Sequence, residues 1–162
     1  LALTLDYKAI SKRLVDFVSQ SGYGLVETLA EECARIDADL EMQADGPLEV
    51  QGIAKLLRRA VRNLLENARR YSEGEITLSL SKQDGMALIR VEDHGPGVPK
   101  AQRERIFEKF YRLPGASERS GGVGLGLSLV RSIAERHGGT VCCEARKDGR
   151  SGASFVISLP LA

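Results

Sequence analysis

Histidine and cysteine are scarce in this sequence, with two and three residues among 162. There is no Cys-x-x-Cys spacing, and so few ligating side chains leave no zinc site to propose. Cys33, Cys142 and Cys143 are an odd number, and the adjacent Cys142 and Cys143 would point to opposite faces of a strand. They are read as reduced thiols that fill space. No apolar run is long enough to span a membrane, and no signal peptide is visible. An excess of one charge is lacking too. Lys and Arg number 23 against 22 Asp and Glu, a net +1 that argues neither for nor against a nucleic-acid partner. The first residue is Leu1 rather than methionine, so the chain is expected to be a piece of something longer. Its length suits one domain with a sizeable core.

What is present is well-marked periodicity. Residues 1–23 carry Ile10, Leu14, Phe17 and Val18 at helical spacing, broken by Ser21-Gly22-Tyr23-Gly24. They are read as a linker or the tail of a preceding helical dimerisation domain, with the main domain at 24–162. Leu25 to Ile36 reads as an amphipathic helix. Asp39 to Ala44 reads as a strand, Asp45-Gly46-Pro47 as a turn and Leu48-Glu49-Val50 as its short partner. Ile53 to Tyr71 gives the strongest helical pattern, with Leu56, Leu57, Ala60, Val61, Leu64, Leu65 and Ala68 as its stripe. Two alternating stretches, Glu75 to Ser81 and Met86 to Glu92, flank Gln83-Asp84-Gly85 as a hairpin. Lys100 to Tyr111 is helix-like. Gly126 to His137 is a helix ended by Gly138-Gly139, and Thr140 to Ala145 with Ala153 to Leu159 makes a closing hairpin. This order predicts an α+β fold: a two-layer α/β sandwich whose mixed, mostly antiparallel sheet is covered by helices on one face.

The chemistry concentrates between Val91 and Val130. A strand runs into Asp93-His94-Gly95-Pro96-Gly97-Val98, and a second glycine-rich run, Gly121-Gly122-Val123-Gly124-Leu125-Gly126, leads into a helix. The first turn offers one fixed carboxylate. The second offers bare backbone N–H groups at a helix N-terminus, a ready anion site. A carboxylate at one end and a phosphate cradle at the other suit a purine nucleotide. Asn63 and Asn67, four apart, share one face of the long helix although asparagine is a poor helix former. Such a pair is ordinarily exposed surface; Arg70 and Tyr71, at the end of the same face, set this one apart.

Four blocks then resemble the catalytic, ATP-binding domain of bacterial sensor histidine kinases, in the wider group with gyrase B, Hsp90 and MutL. Asn63-Leu64-Leu65-Glu66-Asn67-Ala68-Arg69-Arg70-Tyr71 looks like the N box and Asp93-His94-Gly95-Pro96-Gly97 like the G1 box. Phe107-Glu108-Lys109-Phe110-Tyr111-Arg112 looks like the F box and Gly122-Val123-Gly124-Leu125-Gly126-Leu127 like the G2 box. One glycine motif is weak evidence; four blocks in register are specific. The resemblance implies the Bergerat ATP-binding fold, ATP and Mg²⁺ as cofactors, and phosphoryl transfer to a histidine outside this chain.

Residue by residue, the resemblance implies that Asp93 holds the adenine amine, with Gly95, Gly97 and Val98 beside the base. Guanine presents a carbonyl there, and an unpaired buried polar group costs about 1–3 kcal/mol, which favours ATP over GTP. Asn67 takes the metal role, since Mg²⁺ prefers hard oxygen ligands. Asn63 lies in the same site where hydrolysing relatives carry a glutamate; an amide is no general base, which favours transfer over hydrolysis. Arg70 and Tyr71 would reach the phosphates and the base edge. Arg112 would contact the terminal phosphate, or else be an exposed loop arginine. Gly122, Val123, Gly124, Leu125 and Gly126 form the phosphate cradle, with Leu125 and Leu127 also read as packing residues. Phe107 and Phe110 are expected to anchor the intervening lid to the core. His94 and His137 do not look like phosphoacceptors, so the acceptor is expected on a separate dimerisation and histidine phosphotransfer domain. A response regulator is expected downstream, with no nucleic-acid or membrane contact by this domain, itself cytoplasmic in a parent at the inner membrane. Two alternatives stay open: an ATPase of the gyrase or Hsp90 kind, and a nucleotide-binding module without catalysis.

Overall fold

The computed structural model describes residues 3–5, 25–36, 38–43, 50–111 and 126–161. In chain order these form strand β1 (Leu3–Leu5), helix α1 (Leu25–Ile36), strand β2 (Asp39–Gln43) and helix α2 (Ala54–Tyr71). Strands β3 (Thr77–Gln83) and β4 (Met86–Glu92) follow, then two 3-10 turns (Lys100–Gln102 and Arg105–Phe107). Helix α3 (Gly126–Arg136) and strands β5 (Thr140–Ala145) and β6 (Ala153–Pro160) complete the order. The strands make one sheet in the order β1-β2-β3-β4-β6-β5. Among the described strands only β2 and β3 pair in parallel. A parallel pair needs a long crossover, and α2 lies within it.

The sheet buries one face by alternation. In β4, Ala87, Ile89 and Val91 are buried while the residues between them are half-exposed. Strand register lines these up across the sheet. Leu80 faces Ile89, which faces Ile157; Leu78 faces Val91, which faces Phe155, which faces Cys143. Against this face lie the helices, with α1 on β2, α2 on β4 and α3 on β5 and β6. Helix α2 sits between α1 and α3. Its Leu57, Ala60, Val61, Leu64, Leu65 and Ala68 are all buried, and Leu56 is half-buried. The expected α+β sandwich with helices on one face is what forms. Glu32 of α1 is 1% exposed, and its carboxylate receives two hydrogen bonds from Arg62, each 3.1 Å. A buried carboxylate requires such a partner, and this one ties α1 to α2.

Local turns follow their residues. Asp84 and Gly85 take φ of 51° and 77° between the paired Gln83 and Met86, the two-residue hairpin that favours Asp-Gly. Helix α3 ends where Gly138 (φ 75°) turns the chain and the Gly139 N–H donates to Ala134 O at 2.8 Å.

Several expectations differ. Leu3–Leu5, within the stretch read as a linker or helical tail, pairs antiparallel with β2 as an edge strand. The helical pattern of Ile10 to Val18 and the turn at Asp45 to Pro47 lie outside the described residues. Val50 does not partner β2; it bridges Leu161, because β1 and β3 occupy both edges of β2. Lys100 to Tyr111 is not one helix but two 3-10 turns, and the helical backbone stops after the second, where Glu108 becomes extended and Phe110 takes φ of 65°.

Leu64 is fully buried at the centre of α2. Leu64→Ala is expected to cost about 2–5 kcal/mol of stability. Urea denaturation checks this as a lower midpoint at unchanged slope.

Candidate functional site

Strand β4 ends at Glu92, and the next residue, Asp93, is 3% exposed. Its N–H donates to Ala153 O at 3.1 Å, and its Oδ1 accepts from the amides of Gly95 (2.9 Å) and Ala153 (3.1 Å). One carboxylate oxygen is thus fixed by two backbone donors at the start of β6. The residue lines a cavity of about 80 Å³ together with Val98, Ile106, Leu127 and Phe155 and with Asn67, Tyr71 and Tyr111.

Two contacts hold the turn after Asp93 against the end of α2. Ser72, which closes that helix, accepts the His94 N–H on its Oγ at 3.2 Å. A Cβ on Gly95 would stand 2.4 Å from Tyr71 O, so only glycine allows the two backbones to meet. Gly97 has φ of 78°, and its hypothetical Cβ would lie 2.9 Å from Gly152 O. Asn63, one turn before Asn67, donates to Gly126 O at 3.3 Å and so joins α2 to the first residue of α3.

Of the residues singled out in the sequence, Asn67, Tyr71, Asp93, Gly97 and Val98 meet in this cavity, while Asn63, Gly95 and Gly126 flank it. Arg70 is exposed and is not among the lining residues. Arg112, Gly122, Val123, Gly124 and Leu125 lie outside the described residues. Phe107 is an anchor as expected: it is 2% exposed and meets Phe155 edge-on, with ring centroids 6.2 Å apart. Phe110 is not an anchor. Its left-handed backbone turns the side chain outward, and it is 68% exposed.

Residues that the sequence reading missed are Pro96, Ile106, Tyr111, Ala153 and Phe155 in the wall and Ser72 behind it. The arginine of the β5–β6 turn was also missed. Arg146 donates from Nε and Nη2 to the two oxygens of Asp148 (3.1 and 2.6 Å) and from Nη1 to Asp93 O at 2.8 Å. Nothing in the local pattern marks Ala153, Phe155 or Arg146, because the pairing of β6 with β4 and β5 brings them to Asp93. Cys143 is buried behind the site, and desolvation pushes its thiol up to about 12, so it stays protonated and unreactive. Among the described residues no group of three or more His, Cys, Asp or Glu side chains could hold a metal, and no helix is long and apolar enough to cross a membrane.

The family model described as histidine kinase-, DNA gyrase B-, and HSP90-like ATPase matches residues 52–162. The chain belongs to this family. It is 39% identical over 170 residues to the sensor protein ChvG of Agrobacterium fabrum, an alignment covering 99% of this chain and 28% of that protein. It is 46% identical over 108 residues to the sensor protein RstB of Escherichia coli, covering 66% of this chain and 24% of that protein. The chain therefore spans about a quarter of the length of these relatives. Among solved structures, the mycobacterial sensor histidine kinase MprB superposes with a TM-score of 0.72 at 30% identity, covering 86% of this chain and 95% of that one. Full-length ShkA in complex with AMPPNP gives 0.64 at 24% identity, covering 99% of this chain and 31% of that one, a likeness of fold. The chain is an ATP-binding domain of the sensor histidine kinase type.

Asp148 is held well below the ordinary aspartate value of 3.8, first by its hydrogen bond from Arg146 and then by the Arg150 amide. A lowered value in the folded state stabilises the fold above 3.8, and that contribution is lost as pH falls through the lowered value. Carbon NMR of the Asp148 carboxyl is expected to show it still ionised as pH passes below 3.8. Arg146→Met should return its midpoint toward the ordinary one.

Proposed function

We propose that this chain binds Mg-ATP and presents the γ-phosphate to a histidine outside it, as the catalytic half of a two-component sensor kinase. The observation that carries this is the buried Asp93 carboxylate. Its Oδ1 is taken up by two backbone amides, and the residue faces a cavity with apolar walls. The remaining oxygen can accept the exocyclic amine of adenine, and the apolar walls can cover the ring.

The rest of the site supports the assignment. Asn67 lines the same cavity, and a side-chain amide oxygen fits a magnesium ion better than a nitrogen or sulfur donor would. Magnesium bound there supplies charge neutralisation at the phosphates. Asn63, alongside, joins α2 to Gly126, the end of the glycine run assigned to the phosphates. It cannot remove a proton from water, which favours transfer to another group over hydrolysis. We assign Gly122, Val123, Gly124, Leu125 and Gly126 to the phosphate cradle, Arg70 and Arg112 to phosphate charge, and Tyr71 to the base edge. Catalysis in this reading is positioning and electrostatic stabilisation of an in-line transfer.

The acceptor histidine belongs to a dimerisation and phosphotransfer domain, which in turn serves the aspartate of a response regulator. We place the ATP-binding unit at residues 24–162, with Leu3–Leu5 docked on its sheet edge. The unit is cytoplasmic, in a parent held at the inner membrane.

Titration calorimetry with Mg-ATP and the Asp93→Asn and Asn67→Ala variants tests the site. Each is expected to weaken binding at least about tenfold. Binding as tight as the parent's in both would refute the assignment. With γ-labelled ATP, the label is expected to stay on nucleotide in this chain alone; multiple turnovers of free phosphate would favour an ATPase.

A further inference from the structure

We propose that Arg146 is a positioning residue for base recognition: from the β5–β6 turn it grips the backbone carbonyl of Asp93 and so fixes the carboxylate that selects the base. The proposal rests on the assignment of Asp93 to the adenine amine. It adds a residue some fifty positions away that never touches the nucleotide.

The geometry is a relay. The Arg146 side chain is 9% exposed and cannot wander. Two of its nitrogens are fixed on Asp148 at 3.1 and 2.6 Å, and Asp148 Oδ1 is itself held by the Arg150 amide at 3.0 Å. This pre-sets the guanidinium fork and leaves Nη1 aimed at Asp93 O, 2.8 Å away. The same Nη1 is 3.1 Å from both ring nitrogens of His94, so the imidazole lies against the guanidinium rather than offering it one lone pair.

Asp93 is where the β4 ladder gives out. Its N–H still pairs with Ala153, but its carbonyl faces the turn. The Gly95 N–H that holds Oδ1 of the Asp93 side chain at 2.9 Å lies one peptide beyond that carbonyl, which belongs to the Asp93–His94 peptide. Rotation of this peptide would carry the Gly95 donor away and release the carboxylate. Arg146 opposes that rotation with a charged donor. The returning strand reinforces it: Ser151 Oγ donates to Gly95 O at 2.8 Å, and a Cβ on Gly152 would stand 2.0 Å from Asp93 O. An arginine–aspartate pair in an exposed turn is ordinarily worth little. Here the pair matters because its third nitrogen reaches a buried backbone group.

The test compares ATP with inosine triphosphate, whose base carries a carbonyl in place of the amine, by calorimetry on the 162-residue chain. Arg146→Met, which keeps the aliphatic stem, is expected to weaken ATP about tenfold and leave inosine triphosphate nearly unchanged, so that the ratio between them collapses. Arg146→Lys should recover part of the ratio, and Asp148→Asn should lose part of it. An unchanged ratio in Arg146→Met, or a parallel loss for both nucleotides that follows a fall in melting temperature, would overturn the proposal. Asp93→Asn separates the two levels. If it abolishes the ATP preference while Arg146→Met does not alter it, only the positioning role fails. If Asp93→Asn leaves the preference intact, the assignment of the base itself fails.

Discussion

The reciprocal pairing of Asp93 with Ala153 is the contact on which the candidate site depends. The Asp93 amide donates to the Ala153 carbonyl, and the Ala153 amide donates back to the Asp93 side chain rather than to its backbone. The last rung of the β4–β6 ladder thus ends on a carboxylate. A strand end that would otherwise leave an unsatisfied amide becomes the place where a buried charge is held. Phe155, two residues along β6, then falls on the same side and forms the wall beneath, braced by Phe107. Once the rung is set, both the floor and the polar end of the cavity are set.

Helix α2 supplies the opposite side. Its core face packs on β4 and between its neighbouring helices, while Asn63, Asn67 and Tyr71 occupy the next arc of the same helix. A fully buried stripe allows the helix no freedom to roll, so the asparagines hold station. The contacts at Ser72 and Gly95 settle where along its axis the helix meets the turn after Asp93. Packing that stabilises the fold and packing that aligns the site are therefore the same contacts.

Much of this was legible in the sequence, for identifiable reasons. The stripe of α2 and the alternation of β4 are local periodic signals, and Asp84-Gly85 and Gly138-Gly139 are residues whose backbone preferences name their turns. The candidate side chains on α2 and after β4 stood out because asparagine is unusual in a helix and because Asp-x-Gly-x-Gly follows a strand. Pairing beyond the two hairpins was not legible. Nothing within β1 or at Val50 states which edge each will join, and β2 having both edges filled is a property of the whole sheet. Ala153, Phe155 and Arg146 escaped for the same reason, since register brings them to Asp93 from far along the chain. Phe110 misled because an aromatic in a motif block reads as core until its backbone angle is known.

The joining of Asn63 to Gly126 has a consequence for how such a domain can vary. Asn63 rides on α2, whose buried stripe is packed against the sheet, so the start of α3 is tied to the packed centre of the fold. A substitution at Asn63 therefore acts on the first turn of α3 as well as on the face of α2 that carries Asn67. Drift at that one position is shared by two helices and is constrained by both.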